Sequence, residues 1–303
     1  MKFPVRTWFA YLLAWVPIVA FAVAGFLKGA DPLLFSQQIT EHGVSPAAWS
    51  PVLSYVFIAI ELLLALALVL WIAPRPALFL SGGLLFFFIA VTAVAWSMGK
   101  GEACGCFGRL SDRGPEAVIK EDTLLIAATA LAFFLAPRKR PTGAGGRTIL
   151  LLVLAIPALA YTALGQNLPL DGLITGIRPG TDLSDISLDG LRQPVGQGRV
   201  LLVLAEPECP VCDEAFSDLK AIAGPDTGVR VVYTIQGDSK TASQWRLRHL
   251  PPFPVGRASK RVLRQYYRRL PCAFLLQDGV VVQAYWNRLP ILTDLPAPVA
   301  ASS

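Results

Sequence analysis

Residues 199–222 read RVLLVLAEPECPVCDEAFSDLKAI, and this stretch decides the fold of the C-terminal part of the chain. The β-formers at 200–204 lie between Arg199 and Glu206-Pro207, the signature of a short buried strand. From Cys209 onward, Phe216, Leu219 and Ile222 recur at helical spacing. Cys209-Pro210-Val211-Cys212 therefore falls where a strand gives way to a helix. At that place unpaired N–H groups and the positive end of the helix dipole favour a thiolate on the first cysteine. Two intervening residues let the second sulfur reach the first across one turn. A CxxC pair also suits zinc, which needs two further ligands, and His249 and Cys272 are the candidates. A static bridge is the third reading.

Working outward, GVRVVYTI (228–235) predicts a second buried strand, and KRVLRQYYRR (260–269) a basic helix with a solvated face. CAFLLQDGVVVQAYW (272–286) predicts a hairpin turning at Asp278-Gly279. Strand, helix, strand, helix and hairpin make a small α/β domain. The Pro- and Ala-rich tail from 292 is expected to fray.

Upstream the composition differs. The 303-residue chain is 54% hydrophobic and 16% charged, with a mean hydropathy of +0.52, so membrane spans are expected. Windows at 8–27, 52–72, 77–96, 123–136 and 148–164 approach the roughly 20 apolar residues a spanning helix needs. Lys120, Glu121 and Asp122 crowd the start of the fourth. The first follows Lys2 and Arg6 like a signal peptide, but its long core and the spans behind it favour retention. The net charge of +6 concentrates in alternate connections: Lys2 and Arg6, Arg75, then Arg138, Lys139, Arg140 and Arg147. These segments are expected on the cytoplasmic side of a bacterial inner membrane, which puts everything after Leu164 outside. The excess is a membrane signature, not a nucleic-acid one. With His42 and His249 alone as imidazoles and no Gly-rich phosphate loop, nucleotide and multi-histidine metal chemistry are not expected.

GEACGCFG (101–108) follows the third window. Cys104 and Cys106, one residue apart, can close a tight and easily reduced ring, with Gly105 supplying the backbone freedom. Idle thiols, or a metal pair completed by His42 or Glu102, are the other readings. Glu61, ionisable inside the second window, is a functional candidate by default. It could stay protonated, hold a neighbouring helix or relay a proton.

Two resemblances follow from these residues. The region from about 180 to 290 resembles a thioredoxin-like domain of membrane-tethered extracytoplasmic thiol-disulfide proteins, through Cys209 and Cys212 after a buried strand and Leu270-Pro271 before a hairpin strand. The resemblance implies Cys209 as attacking thiol, Cys212 as resolving thiol and Pro271 as a cis proline beside which a client docks. Two positions depart from it. Glu208 stands where an aromatic residue is usual, opposing the thiolate of Cys209, and Val203 replaces the usual buried acid. Cys272 reads as a small buried hydrophobe.

Residues 1 to about 165 are similar to the MauE/DoxX family of redox-associated membrane proteins, through CGCFG (104–108), PVLSYVFIAIELLLALAL (51–68) with its Glu61, and the helix count. That likeness implies a role in maturing a disulfide-rich enzyme such as methylamine dehydrogenase. The expected architecture is a membrane α-helical bundle over 1–146, four helices, with a fifth connecting span at 147–165. A linker at 166–180, read as a flexible coil reaching about 20 Å, an α/β thioredoxin-like domain at 181–291 and a tail at 292–303 follow. The expected activity is a relay of disulfides between the CxC and CxxC pairs and onward to an extracytoplasmic client with cysteines. It needs no soluble cofactor and no nucleic acid, and its redox donor or acceptor is open. The rivals are an assembly factor that grips an apoprotein without turnover and, last, a small transporter.

Overall fold

A computed structural model describes residues 5–99, 115–138 and 144–296. Cys104, Cys106 and Glu102 lie outside the described residues. The chain divides into two compact units, Met1–Leu168 and Pro169–Ser303.

The first unit is helical: α1 (Val5–Ala30), α2 (Pro32–Glu41), α3 (Ser50–Val69), α4 (Pro74–Ser97), α5 (Pro115–Leu135) and α6 (Ala144–Leu164). Among the described residues, four helical segments are long and apolar enough to cross a membrane: α1, α3, α4 and Gly145–Asn167, which contains α6. The fourth of the five windows read from sequence is a helix of a different kind. Its first two turns carry Glu116, Lys120, Glu121 and Asp122, so its apolar part, 123–135, measures about 20 Å at 1.5 Å per residue. Those charges set it apart from the four apolar segments, although the whole 21-residue helix, about 31 Å long, matches a hydrocarbon core of about 30 Å. It nonetheless packs against α1 and α4, with Ala132 and Ala136 fully buried among residues of α1 and α4. Small α2 was not foreseen. It starts with Asp31 accepting from the Leu34 N–H at 3.2 Å and with Pro32 at its first position, a standard helix entry.

Helix α1, expected to be retained, is packed against α3 and α5. Gly25 makes the close approach to α3 feasible, since a Cβ there would stand 2.8 Å from Leu62 Cδ2. Beside it, Lys28 in the last turn of α1 is paired with Glu61 of α3. Lys28 falls just past the first apolar window of 8–27 and would read as a solvated loop residue. Instead it is 5% exposed, its ammonium 4.6 Å from the Phe35 ring centre and 4.5 Å from that of Phe88. A lone Glu61 in hydrocarbon would be costly, and the ammonium and two aromatic faces answer that cost. Of the three roles open to Glu61, holding a neighbouring helix is the one this geometry displays.

The second unit is a five-stranded sheet with helices on both faces. Its elements are α7 (Asp171–Thr175), β1 (Arg199–Ala205), α8 (Pro210–Glu214), α9 (Phe216–Ile222), β2 (Arg230–Gln236), α10 (Ser239–His249), β3 (Val255–Ala258), α11 (Lys260–Leu263), β4 (Cys272–Gln277) and β5 (Val280–Trp286). The strand order is β3-β2-β1-β4-β5, with β1, β2 and β3 parallel and β4 and β5 antiparallel. Central β1 is buried on both faces, which explains its unbroken apolar run. Side-chain alternation splits it. Leu201, Val203 and Ala205 join Leu219, Ile222 and Trp245 on one face, whereas Val200, Leu202 and Leu204 meet Leu263 and Tyr267 on the other. The hairpin turns at Asp278 and Gly279, both at positive φ (50° and 85°), as a two-residue primed turn demands.

Three details correct the sequence reading. First, α10 and β3 had been passed over. Second, KRVLRQYYRR holds a single helical turn, α11, and Arg268 is not a solvated cation but is 3% exposed, its Nε donating to Asp171 Oδ1 at 3.0 Å. Third, 166–180 is not a flexible coil throughout. Asp171 belongs to that ion pair, Ile174 and Ile177 are buried, and the Gly180 N–H donates to the Val281 carbonyl at 2.8 Å.

Candidate redox site

Cys209 follows β1 by four residues and is the N-cap of α8. Its Sγ accepts from the Cys212 N–H at 3.2 Å, and its carbonyl accepts from the Cys212 and Asp213 N–H groups, both at 3.0 Å. Pro210 takes the first helical position, where a missing N–H costs nothing. Cys209 and Cys212 form a disulfide with Cα atoms 5.2 Å apart. The two sulfurs differ in access: Cys209 is half-buried, while Cys212 is 2% exposed within the core beneath α8 and α9. Only the first is placed to meet another molecule.

Charge around the pair is acidic, with Glu206, Glu208, Asp213 and Glu214 all exposed. His249, once a zinc candidate, lies with Nε2 3.7 Å from Asp213 Oδ1 and stacks on Trp245 at 4.5 Å. Among the described residues no group of three or more His, Cys, Asp or Glu side chains is arranged to hold a metal ion. Cys272 sits on β4 in the core of the opposite sheet face, with no exposure. The sheet itself thus separates it from the Cys209–Cys212 pair.

Leu270-Pro271 is a cis peptide bond. Since Leu204 pairs with Cys272 in antiparallel register, the residue before Cys272 falls at the sheet end where β1 runs out towards Cys209. The proline and the CxxC therefore share one end of the sheet.

Val203 occupies the position expected of a buried acid, fully buried in the same core as Cys212. Its neighbour across the β1–β2 ladder is Tyr233, which sequence reasoning had not singled out. Tyr233 is fully buried, stacked on Trp245 at 4.5 Å, and its Oη has no hydrogen-bond partner among the described residues. Burial, and secondarily the Asp213 carboxylate, push its phenol up from the usual 10.0. Within GVRVVYTI it looked like one more strand former, and its pairing with Val203 becomes visible only once register is known.

A membrane-embedded helical bundle joined to a thioredoxin-like α/β domain with a CxxC disulfide at a helix start is the class these units define. Residues 6–135 match the family model of methylamine utilisation protein MauE. The N-terminal part of the chain thus carries a MauE domain. Comparison with curated proteins gives no match. Among solved structures, a putative thiol:disulfide interchange protein DsbE from Chlorobium tepidum is 21% identical, over 38% of this chain and 89% of that one, with a TM-score of 0.33. StoA from Bacillus subtilis is 15% identical over 37% and 95%, with a TM-score of 0.30. DsbF of Mycobacterium tuberculosis is 14% identical over 32% and 75%, with a TM-score of 0.28.

Proposed function

We propose that the protein is a membrane-anchored thiol-disulfide oxidoreductase whose Cys209–Cys212 pair exchanges disulfides with client proteins outside the cytoplasmic membrane. The observation that carries this reading is the unequal access of the two sulfurs at a helix start: an approachable Cys209 backed by a buried Cys212. In the reduced state the Cys209 thiolate attacks a client disulfide, forming a mixed disulfide and releasing one client thiolate, which takes up a proton. Cys212, losing its proton, then attacks Cys209 Sγ and expels the second client thiolate, which is protonated in turn. The client gains two electrons and two protons, and the pair loses them. The reverse sequence oxidises a client dithiol. Pro271, at the same end of the sheet, would flank the client chain. Cys104 and Cys106 would pass oxidising or reducing equivalents to Cys209 and Cys212 by the same chemistry. A disulfide-rich enzyme such as methylamine dehydrogenase is the client class that the MauE domain suggests.

The test is Cys212→Ser, which leaves Cys209 able to attack but unable to resolve. Cells carrying it should accumulate mixed disulfides of Cys209, identified by mass spectrometry of non-reduced digests, with Cys104 or Cys106 and with client cysteines. Bonds to clients alone would remove the relay and keep the exchange. If Cys209 stays unbonded in reduced, re-exposed cells, the assembly-factor reading, binding without turnover, takes its place. A membrane-impermeant thiol reagent should label Cys209 in intact reduced cells, and failure to do so would overturn the extracytoplasmic placement.

A further inference from the structure

Tyr233 carries a buried hydroxyl that the exchange chemistry above leaves unused. Parallel pairing of β1 and β2 sets it beside Val203, and both side chains enter the core that also holds Cys212. With Cys209 and Cys212 joined, its Oη has no hydrogen-bond partner among the described residues. Stacking and charge tie this residue to the redox turn. Its ring stacks on Trp245 at 4.5 Å, Trp245 stacks on His249 at 4.5 Å, and His249 Nε2 lies 3.7 Å from Asp213 Oδ1. The Asp213 carboxylate also acts on the phenol itself, adding to the burial that pushes its pKa up. Asp213 follows Cys212 directly on α8. The phenol is thus within electrostatic reach of the turn that carries the inner sulfur, and it stays protonated at neutral pH.

An orphaned hydroxyl in an apolar core is costly, and a native fold that keeps one calls for a reason. The disulfide state offers it no partner, but opening the disulfide creates one. When a thiolate attacks Cys209 Sγ, a new bond forms there and the bond to Cys212 breaks. The electron pair of that bond leaves on Cys212 Sγ, which is 2% exposed. A thiolate at that depth has little water around it, and Val203, at the place of the usual buried acid, brings neither a charge nor a hydrogen bond. A protonated phenol can donate. A hydrogen bond to a thiolate favours its charged form, and a leaving thiol of lower pKa departs faster. We infer that Tyr233 is the hydrogen-bond donor that receives the Cys212 thiolate as the disulfide opens, an inference that rests on the exchange role proposed for the pair. The phenol keeps its own proton throughout. The Cys212 thiolate then either takes a proton from water or attacks Cys209 Sγ again and expels the incoming thiolate.

The experiment uses the full chain purified in detergent and equilibrated with glutathione buffers of graded ratio. After an acid quench, alkylation and digestion, peptide mass spectrometry gives the dithiol fraction at Cys209 and Cys212 alone. Tyr233→Phe keeps the ring and loses the donor. It should move the equilibrium about tenfold towards the disulfide, the scale of one hydrogen bond to a charged group, which lowers the potential by about 30 mV. The rate of reduction by glutathione should fall by a similar factor. Tyr233→fluorotyrosine, a stronger donor of nearly the same size, should move both quantities the other way. A role confined to packing moves neither, because oxidised and reduced forms would then change alike. Equilibria that agree within about twofold among the three proteins, or a Tyr233→Phe equilibrium displaced towards the dithiol, would overturn the inference and leave the exchange centre standing. If the pair of the unsubstituted protein never equilibrates with glutathione, the exchange reading itself falls, and the part of Tyr233 falls with it.

Discussion

Glu208 and Tyr233 show how much depends on single side chains around the disulfide. Glu208 is exposed beside Cys209, and a carboxylate there works against the negative charge that a reacting thiolate needs. Glu208→Gln should therefore raise the rate at which Cys209 of the reduced protein is alkylated by iodoacetamide at neutral pH, by a few fold and less at high salt. A rate that falls would show that Glu208 assists the thiol through another route. Tyr233 makes a different point. Its hydroxyl is buried without a partner among the described residues, and such a group costs about 1–3 kcal/mol. Tyr233→Phe should stabilise the oxidised protein by roughly 1 kcal/mol in denaturant unfolding, because the stacked ring is kept and the orphaned oxygen removed. Loss of stability instead would reveal a partner for the hydroxyl. At this scale the sequence was readable where chemistry is written in residue type, as at Cys209 and Cys212. It was silent where meaning comes from a neighbour, as for Val203 beside Tyr233 and Lys28 beside Glu61.

The elements divide the same way. β1, β2 and the hairpin were legible because their buried faces leave continuous runs of β-formers. α10 was not, since only Ala242 and Trp245 of its eleven residues are buried and the rest reads as polar loop. β3 is four residues long and contains Gly256, too short to carry a pattern. What does announce α10 is its cap: the Thr241 N–H and hydroxyl donate to Asp238 Oδ1 at 2.8 and 2.7 Å. Those bonds hold the Asp238 carboxyl below its ordinary 3.8. A depressed carboxylate contributes stability that is complete above its unfolded value and disappears as pH falls through the folded one. Asp238→Ala should thus lower the melting temperature by a few degrees near neutral pH, as loss of a cap does. The gap to the unsubstituted protein should close only below about pH 4. A gap that persists undiminished at pH 2 would mean the cap does not act through its charge.

For the whole molecule, the joint between the two units is where composition misled most. A stretch with Gly165, Gly172, Gly176 and Gly180 reads as a loose connection, yet Asp171 reaches 97 positions along the chain to Arg268 and both are buried. A long-range pair of this kind has no local signature. Removing Arg268 leaves the buried Asp171 carboxylate without this cation, and breaking a buried pair typically costs about 3–5 kcal/mol. Arg268→Met should therefore destabilise the second unit by about that amount in urea unfolding of the full protein, and Asp171→Asn by a similar amount. If both variants unfold at the original midpoint, residues 171–180 are not part of the fold's stability. Helix count in the membrane was the other global quantity only partly readable. Hydropathy finds apolar length in 123–136 but does not weigh the two charged turns in front of it, which set α5 apart from the four apolar segments.

The position of Cys272 gives the molecule an internal gauge. Its thiol lies on the far side of the sheet from the Cys209–Cys212 pair, with no exposed surface. No small fluctuation of the α8 region uncovers it, and no reshuffling can join it to that pair while the strands remain zipped. A thiol reagent can reach it only when the central strands come apart. Its labelling rate, followed with Cys209 and Cys212 locked as a disulfide, therefore reads the population of opened sheet directly. Every substitution suggested above for this unit could be ranked on that one clock, in the membrane, without denaturant.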